Sequence, residues 1–176
     1  MSKGLQRSLS RGAAGRQEIF RIDMPFSFSV DITGVADSVD AGTYAIGGLP
    51  QGNLLFLGAV SYVQVDGGSD AHIVNNWGGD YAIGTAPNGD VDLGDAGDAN
   101  IVPSTALIAG ASDKLAASTR GASTGAEHGV IIDNTDGSLE LNLNLLIDDN
   151  VITDAEVGTF AVSGVIHAAI IVLGDD

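Results

Sequence analysis

The stretch Phe20-Arg21-Ile22-Asp23-Met24-Pro25-Phe26-Ser27-Phe28-Ser29-Val30-Asp31-Ile32 decides the fold class. Every even position is apolar, and the odd positions are charged, hydroxylic or proline. A period of two sustained this long is that of a β-strand with one face buried and the other in water. Pro25 has no N–H to give to a ladder, so the pattern predicts a bulge, a break or an edge position there, and with it two consecutive strands.

Working outward, the same alternation returns at Leu139, Leu141, Leu143, Leu145 and Ile147, with Glu140, Asn142 and Asn144 on the other side. It predicts a second strand with one wet face. Residues 160 to 173 are apolar on both sides, which predicts a strand central in a sandwich or one lying in a subunit interface. Ile166, Ile170 and Val172 are the residues expected to form such an interface. Shorter segments at 43–46, 54–65, 80–84, 100–108 and 129–133 also read as strands, separated by Gly47-Gly48, Asp66-Gly67-Gly68, Gly78-Gly79, Asn88-Gly89, Gly94-Asp95 and Asp136-Gly137. Eight to ten short strands spaced by such turns argue for an antiparallel β-sandwich or barrel. The one expected helix is short, Asp113 to Ser118, with Asp113 as its N-cap.

The chain has 176 residues, which suits one hydrophobic core. Residues 18–176 are expected to form a single sandwich domain, preceded by an extended arm over residues 1–17. The arm and the body differ in charge. The first 21 residues hold five cations (Lys3, Arg7, Arg11, Arg16, Arg21) and one acid, Glu18; the rest holds two cations and 22 acids. A broad basic face for nucleic acid is thereby disfavoured, and no aromatic residue interleaves the cations of the arm. The arm is expected instead to dock through Lys3, Arg7, Arg11 and Arg16 onto an acidic protein surface. The first residues lack the apolar core of a signal peptide, and the most apolar run, from Val162, is shorter than a membrane helix requires. No membrane contact is expected.

Catalytic chemistry finds little support. There is no cysteine, so thiol catalysis and Cys-based metal sites are excluded. His72, His128 and His167 occur singly, without metal-binding spacing, and no nucleophile elbow or phosphate loop is present. The sharpest site is Asn88-Gly89-Asp90-Val91-Asp92-Leu93-Gly94-Asp95-Ala96-Gly97-Asp98, where Asp90, Asp92, Asp95 and Asp98 offer the oxygen ligands that Ca²⁺ prefers. The loop lacks the ordered positions and closing Glu of an EF-hand, and Asp/Gly-rich turns also serve solubility, so no metal and no cofactor is assigned. Asp148, Asp149, Asn150, Asp154 and Glu156 form a weaker set of the same kind.

Three blocks carry a resemblance: Trp77 to Pro87 (WGGDYAIGTAP); Ile101 to Ala106 (IVPSTA); and Leu141-Asn142-Leu143 through Asp148-Asp149, leading to Val162-Ser163-Gly164 and Leu173-Gly174-Asp175. They resemble small structural proteins encoded beside the capsid genes of marine and cyanobacterial tailed phages. The resemblance implies a jelly-roll-like β-sandwich that decorates and cements an icosahedral head as a homotrimer. Its partner would be the major capsid protein, with assembly in the host cytoplasm and a final place on the outer surface of the virion. The basic arm lies outside the matching blocks, and its role as a capsid clamp is inferred from charge alone. A tail or fibre receptor-binding domain and a calcium-dependent adhesion module are the rival readings.

Overall fold

The computed structural model describes residues 19–32, 39–66, 78–88, 92–94, 97–108, 115–121, 129, 131–148 and 158–174. Nine strands run through them: β1 (Ile19–Ile32), β2 (Val39–Gly48), β3 (Gly52–Asp66), β4 (Gly78–Gly84), β5 (Val102–Ile108), β6 (Leu115–Gly121), β7 (Ile131–Asn134), β8 (Glu140–Asp148) and β9 (Gly158–Gly174). They form a five-stranded sheet, β1-β9-β3-β6 with β7 beside β3, and a four-stranded sheet, β2-β8-β4-β5. Every pairing is antiparallel.

With the short β7 set aside, the first strand pairs with the last, the second with the second-last, and so inward: β1 with β9, β2 with β8, β3 with β6, β4 with β5. This is a long antiparallel hairpin wound on itself, and the winding adds the pairs β3–β9 and β4–β8. The result is the double-Greek-key jelly roll, an all-β antiparallel sandwich. The strand order alone establishes it.

β1 follows the sequence pattern along its whole length. Ile22, Met24, Phe26, Phe28 and Val30 turn inward, and Arg21, Asp23, Pro25, Ser27 and Ser29 face solvent. Pro25 neither breaks nor bulges the strand. It sits opposite Val165 in an uninterrupted ladder, on an edge strand where a missing N–H is tolerated. The expectation of two consecutive strands is thereby corrected to one strand of 14 residues. β9 is central in its sheet, between β1 and β3, as one of its two readings required.

β3 changes phase. Leu54 and Phe56 point into the core, and after a register shift between Phe56 and Gly58 the inward residues become Ala59, Ser61, Val63 and Val65. A one-residue bulge flips the buried set and keeps both halves in one core. Between the sheets, Phe56, Phe160, Tyr81, Leu54, Ile83 and Leu141 are wholly buried. The Tyr81 hydroxyl lies 3.1 Å from Ser61 Oγ, a polar bridge from one sheet to the other through the core. Gly164 makes room for that core: a Cβ there would overlap the Tyr62 carbonyl oxygen and the Phe26 ring.

Two sequence expectations change. The part of the expected helix that is described, Leu115 to Ser118, is strand β6, with Leu115 opposite Val65 and Ser118 opposite Tyr62. The edge of β3 supplies ladder partners that a six-residue helix could not match, and tertiary pairing overrides local propensity. The second face of β8 is only partly wet: Glu140 is exposed as expected, but Asn142 and Asn144 are buried.

Candidate functional site

Chain covers the outer face of the four-stranded sheet. Ala82 and Leu146 point outward there and pack with Leu93 and Ala99 from the connection between β4 and β5. Asn144 fixes that connection. Its Oδ1 accepts from Thr43 Oγ1 (2.8 Å) and from the Asn88 N–H (2.9 Å), while its Nδ2 donates to the carbonyls of Ala86 (3.1 Å) and Asp98 (2.8 Å). Gly84 permits the close approach, since a Cβ would strike the Gly97 carbonyl oxygen. Asn134 plays a similar part at the end of the sandwich, donating to the carbonyls of Leu49 and Pro50 and accepting from the Leu139 N–H.

The outer face of the five-stranded sheet is different, and register lays it out row by row. Ile19, Ile171, Leu55 and Ile131 stand side by side across β1, β9, β3 and β7. Asp23, His167, Val60 and Arg120 form another row, and Pro25, Val165, Tyr62 and Ser118 the next. Beyond them come Ser27, Ser163 and Gln64. The face therefore grades from apolar, through a small charged cluster, to polar.

The cluster joins three neighbouring strands. Arg21 Nε donates to Asp23 Oδ1 at 2.8 Å, and His167 Nδ1 lies 2.6 Å from the same oxygen. Arg21 Nη2 also lies 3.3 Å from His167 Nδ1. A ring nitrogen holds either a proton or a lone pair, so with Nδ1–H donating to Asp23 the Arg21 contact is electrostatic, not a second hydrogen bond. The edge of one ring meets the face of the other between Tyr62 and His167, with centroids 6.1 Å apart. The hydrogen bond from His167, then that from Arg21, hold the Asp23 carboxyl below its ordinary range. An oriented Asp–His pair is two parts of an acyl-transfer triad. The polar contacts of His167 among the described residues are with Asp23 and Arg21, and no hydroxyl nucleophile joins them. The arrangement orients charge on a partly exposed surface.

Of the residues expected from sequence to act, Ile166 and Ile170 are wholly buried between the sheets and Val172 packs against the same core. They hold the sandwich together, and the side of β9 open to another molecule carries Val165, His167, Ala169, Ile171 and Leu173 instead. Asp98 is buried and Asp92 exposed, while Asp90 and Asp95 lie outside the described residues. So do Lys3, Arg7, Arg11, Arg16, His72, His128, Asp149, Asn150, Asp154 and Glu156. Among the described residues no group of three potential metal ligands converges. Asp133 and Asp136, which line a shallow cavity with Leu139, are bonded within their own turn. Thr135 donates to Asp133 and Ser138 to Asp136 through both backbone N–H and hydroxyl, which lowers both carboxyls. The Arg21–Asp23–His167 cluster was missed from sequence. The spacing of Arg21 and Asp23 places them on one face, but only the β1–β9 register brings in His167.

Neither family models nor curated protein sequences match the chain. Solved structures that superpose on it include the empty head of turnip yellow mosaic virus, at 9% identity and TM-score 0.37 over 96% of this chain and 87% of that one. Infectious bursal disease virus strain Gx follows at 12% and 0.34 over 90% and 33%. Desmodium yellow mottle tymovirus gives 9% and 0.34 over 90% and 92%. At such values the superpositions support no statement of role, and the jelly-roll assignment rests on strand order and register.

Proposed function

We propose that the protein is a structural component of a virion that decorates the outside of an icosahedral phage head. In this reading it binds across subunits of the major capsid protein as a homotrimer and cements the shell. The observation that supports it is the jelly roll itself, which is the fold implied by the resemblance of the blocks at 77–87, 101–106 and 141–149. Its interior is filled by Tyr81, Phe56, Phe160 and their neighbours, so recognition belongs to the outer surfaces and to the arm. The acidic body faces solvent and the basic arm, with Lys3, Arg7, Arg11 and Arg16, reaches an acidic patch on the capsid. A trimer multiplies weak contacts by raising the effective concentration of each arm once the first is bound. Binding that requires the joints of the expanded shell favours the mature state over its precursor.

The test is occupancy on purified particles. The full chain is expected at a copy number near that of the capsid protein, and a chain lacking residues 2–17 is expected to keep its β circular dichroism but leave the particles bare. Undiminished occupancy of the armless chain would overturn the docking role. A copy number of only a few per particle would assign the chain to the tail or a fibre.

A further inference from the structure

We propose that the apolar outer face of the five-stranded sheet, centred on the row Ile19–Ile171–Leu55–Ile131, is where one copy of this chain binds another. This rests on the reading above, which requires self-association, and it names the surface that provides it.

The distribution of exposed apolar side chains comes first. Ile19 is 64% exposed, Ile131 55% and Tyr62 50%, and with Phe20 and Leu173 they make up the exposed large hydrophobics among the described residues. All five belong to β1, β3, β7 and β9, that is, to one sheet, and Ile19, Tyr62, Ile131 and Leu173 stand on its outer side, while Phe20, opposite the core residue Ile170, is on the inner side at the rim. The opposite sheet places its outward apolar residues, Ala82 and Leu146, under Leu93 from its own connecting chain. A contiguous apolar face on an otherwise charged protein marks an interaction surface.

Charge selects a second copy as the occupant. The formal charge of the chain is −16, so most faces of two copies oppose carboxylates when brought together. The described residues hold two arginines, Arg21 and Arg120, and both lie on strands of this sheet, beside Asp23 and His167. The strands of this sheet also carry Asp31, Asp66 and Asp133, so they hold both signs, whereas the strands of the other sheet hold Asp40, Asp80, Glu140 and Asp148 and no arginine or lysine; two copies that meet on the five-stranded sheet can set cation against carboxylate. Its size is adequate. Three strands of 14 to 17 residues, β1, β9 and β3, with the shorter β7 and β6 sharing the far edge of β3, outline about 850 Å² at the usual strand spacing, against roughly 800 Å² per partner in a standard interface.

Sedimentation of the full chain over a wide concentration range tests this. The wild type is expected to sediment as an oligomer. Ile19→Glu/Ile131→Glu, at two exposed positions on different strands, is expected to raise the dissociation midpoint by about 100-fold or more while leaving the thermal unfolding of the protomer unchanged. Ser104→Glu, exposed on β5 of the other sheet, is expected to keep the wild-type mass. A wild type that is monomeric throughout overturns the proposal and leaves the face to residues 1–18 or to a capsid subunit. A double variant of unchanged mass, or a Ser104→Glu chain that dissociates equally, overturns it as well. The virion role fails separately: an oligomer that behaves as expected yet is absent from particles defeats that role and leaves this interface standing.

Discussion

Asn144 uses both donors and both acceptor positions of its amide, on four partners drawn from β2, the connection after β4 and the approach to β5. Its value lies in the cost of removing it, because buried N–H and C=O groups left without partners cost more than the bond itself is worth. Asn144→Ala is expected to lower the unfolding free energy by about 3 kcal/mol or more in urea titrations, and an effect under about 1 kcal/mol would mean that water replaces the amide. Tyr81→Phe is milder. It removes the Ser61 bond but keeps the ring, and about 1 kcal/mol is expected from the same titration. At Asp23 the sign of the pH effect follows from the lowered carboxyl. The unfolded chain protonates near the ordinary 3.8, whereas the folded chain stays ionised below it, because His167 and Arg21 bond to the anion. The stabilisation is complete above that range and fades as pH falls through the lowered folded value. Carbon NMR titration should place the Asp23 carboxyl below 3.8 in the wild type and nearer to it in His167→Ala; an unmoved midpoint in the variant would remove His167 as the principal cause.

At the scale of elements, two glycines decide which segments can touch. Gly164 lies under the Phe26 ring and against the backbone of β3, so Gly164→Ala forces the two strands apart, and about 2 kcal/mol or more of destabilisation is expected by denaturant titration. Gly84→Ala should instead act locally. It lifts the segment around Gly97, and the amides of Ala86 and Ile101, which bond to Gly97 and Ile83 carbonyls, are expected to exchange faster with deuterium while the core strands keep their protection. These contacts also show what the sequence could convey. β1 was legible because one face is buried and one is wet, and the alternation records that directly. β3 was legible as a strand, but its bulge at Leu57-Gly58 was not, since the residues on either side are apolar in both phases. β6 reads locally as a helix because Leu115-Ala116-Ala117 favours one, and only the distant edge of β3 makes it a strand. The asparagines of β8 read as wet because polarity in a sequence does not distinguish a solvated amide from one that holds down a loop.

For the whole molecule, the net charge conceals an arrangement. Among the described residues the acids are spread over turns and both sheets, while Arg21, Arg120 and His167 lie on strands of the five-stranded sheet alone. Residues that meet on that face come from β1, β3, β7 and β9, so a surface of this kind is written in register and cannot be read from any one segment. If copies meet there, screening their mutual repulsion should strengthen the contact. Raising salt from 0.05 to 0.5 M is expected to increase the sedimenting mass at fixed protein concentration, on the order of the drop in Debye length from ~14 to ~4 Å; a fall in mass would instead mark arginine–carboxylate pairs as the main attraction.

The pairing of the first strand with the last also has a consequence in time. Ile19 and Ile171 are neighbours in the ladder although about 150 positions separate them in the chain. Because β9 lies between β1 and β3, a nascent chain still short of Gly158 has no partner for β1 and an open edge on β3. Such edges are templates for pairing with other chains. β9 must therefore leave the ribosome before the sandwich can close, which makes refolding slow, as expected for distant contacts, and makes loss of the 17 residues of β9 far more damaging than loss of the first 17.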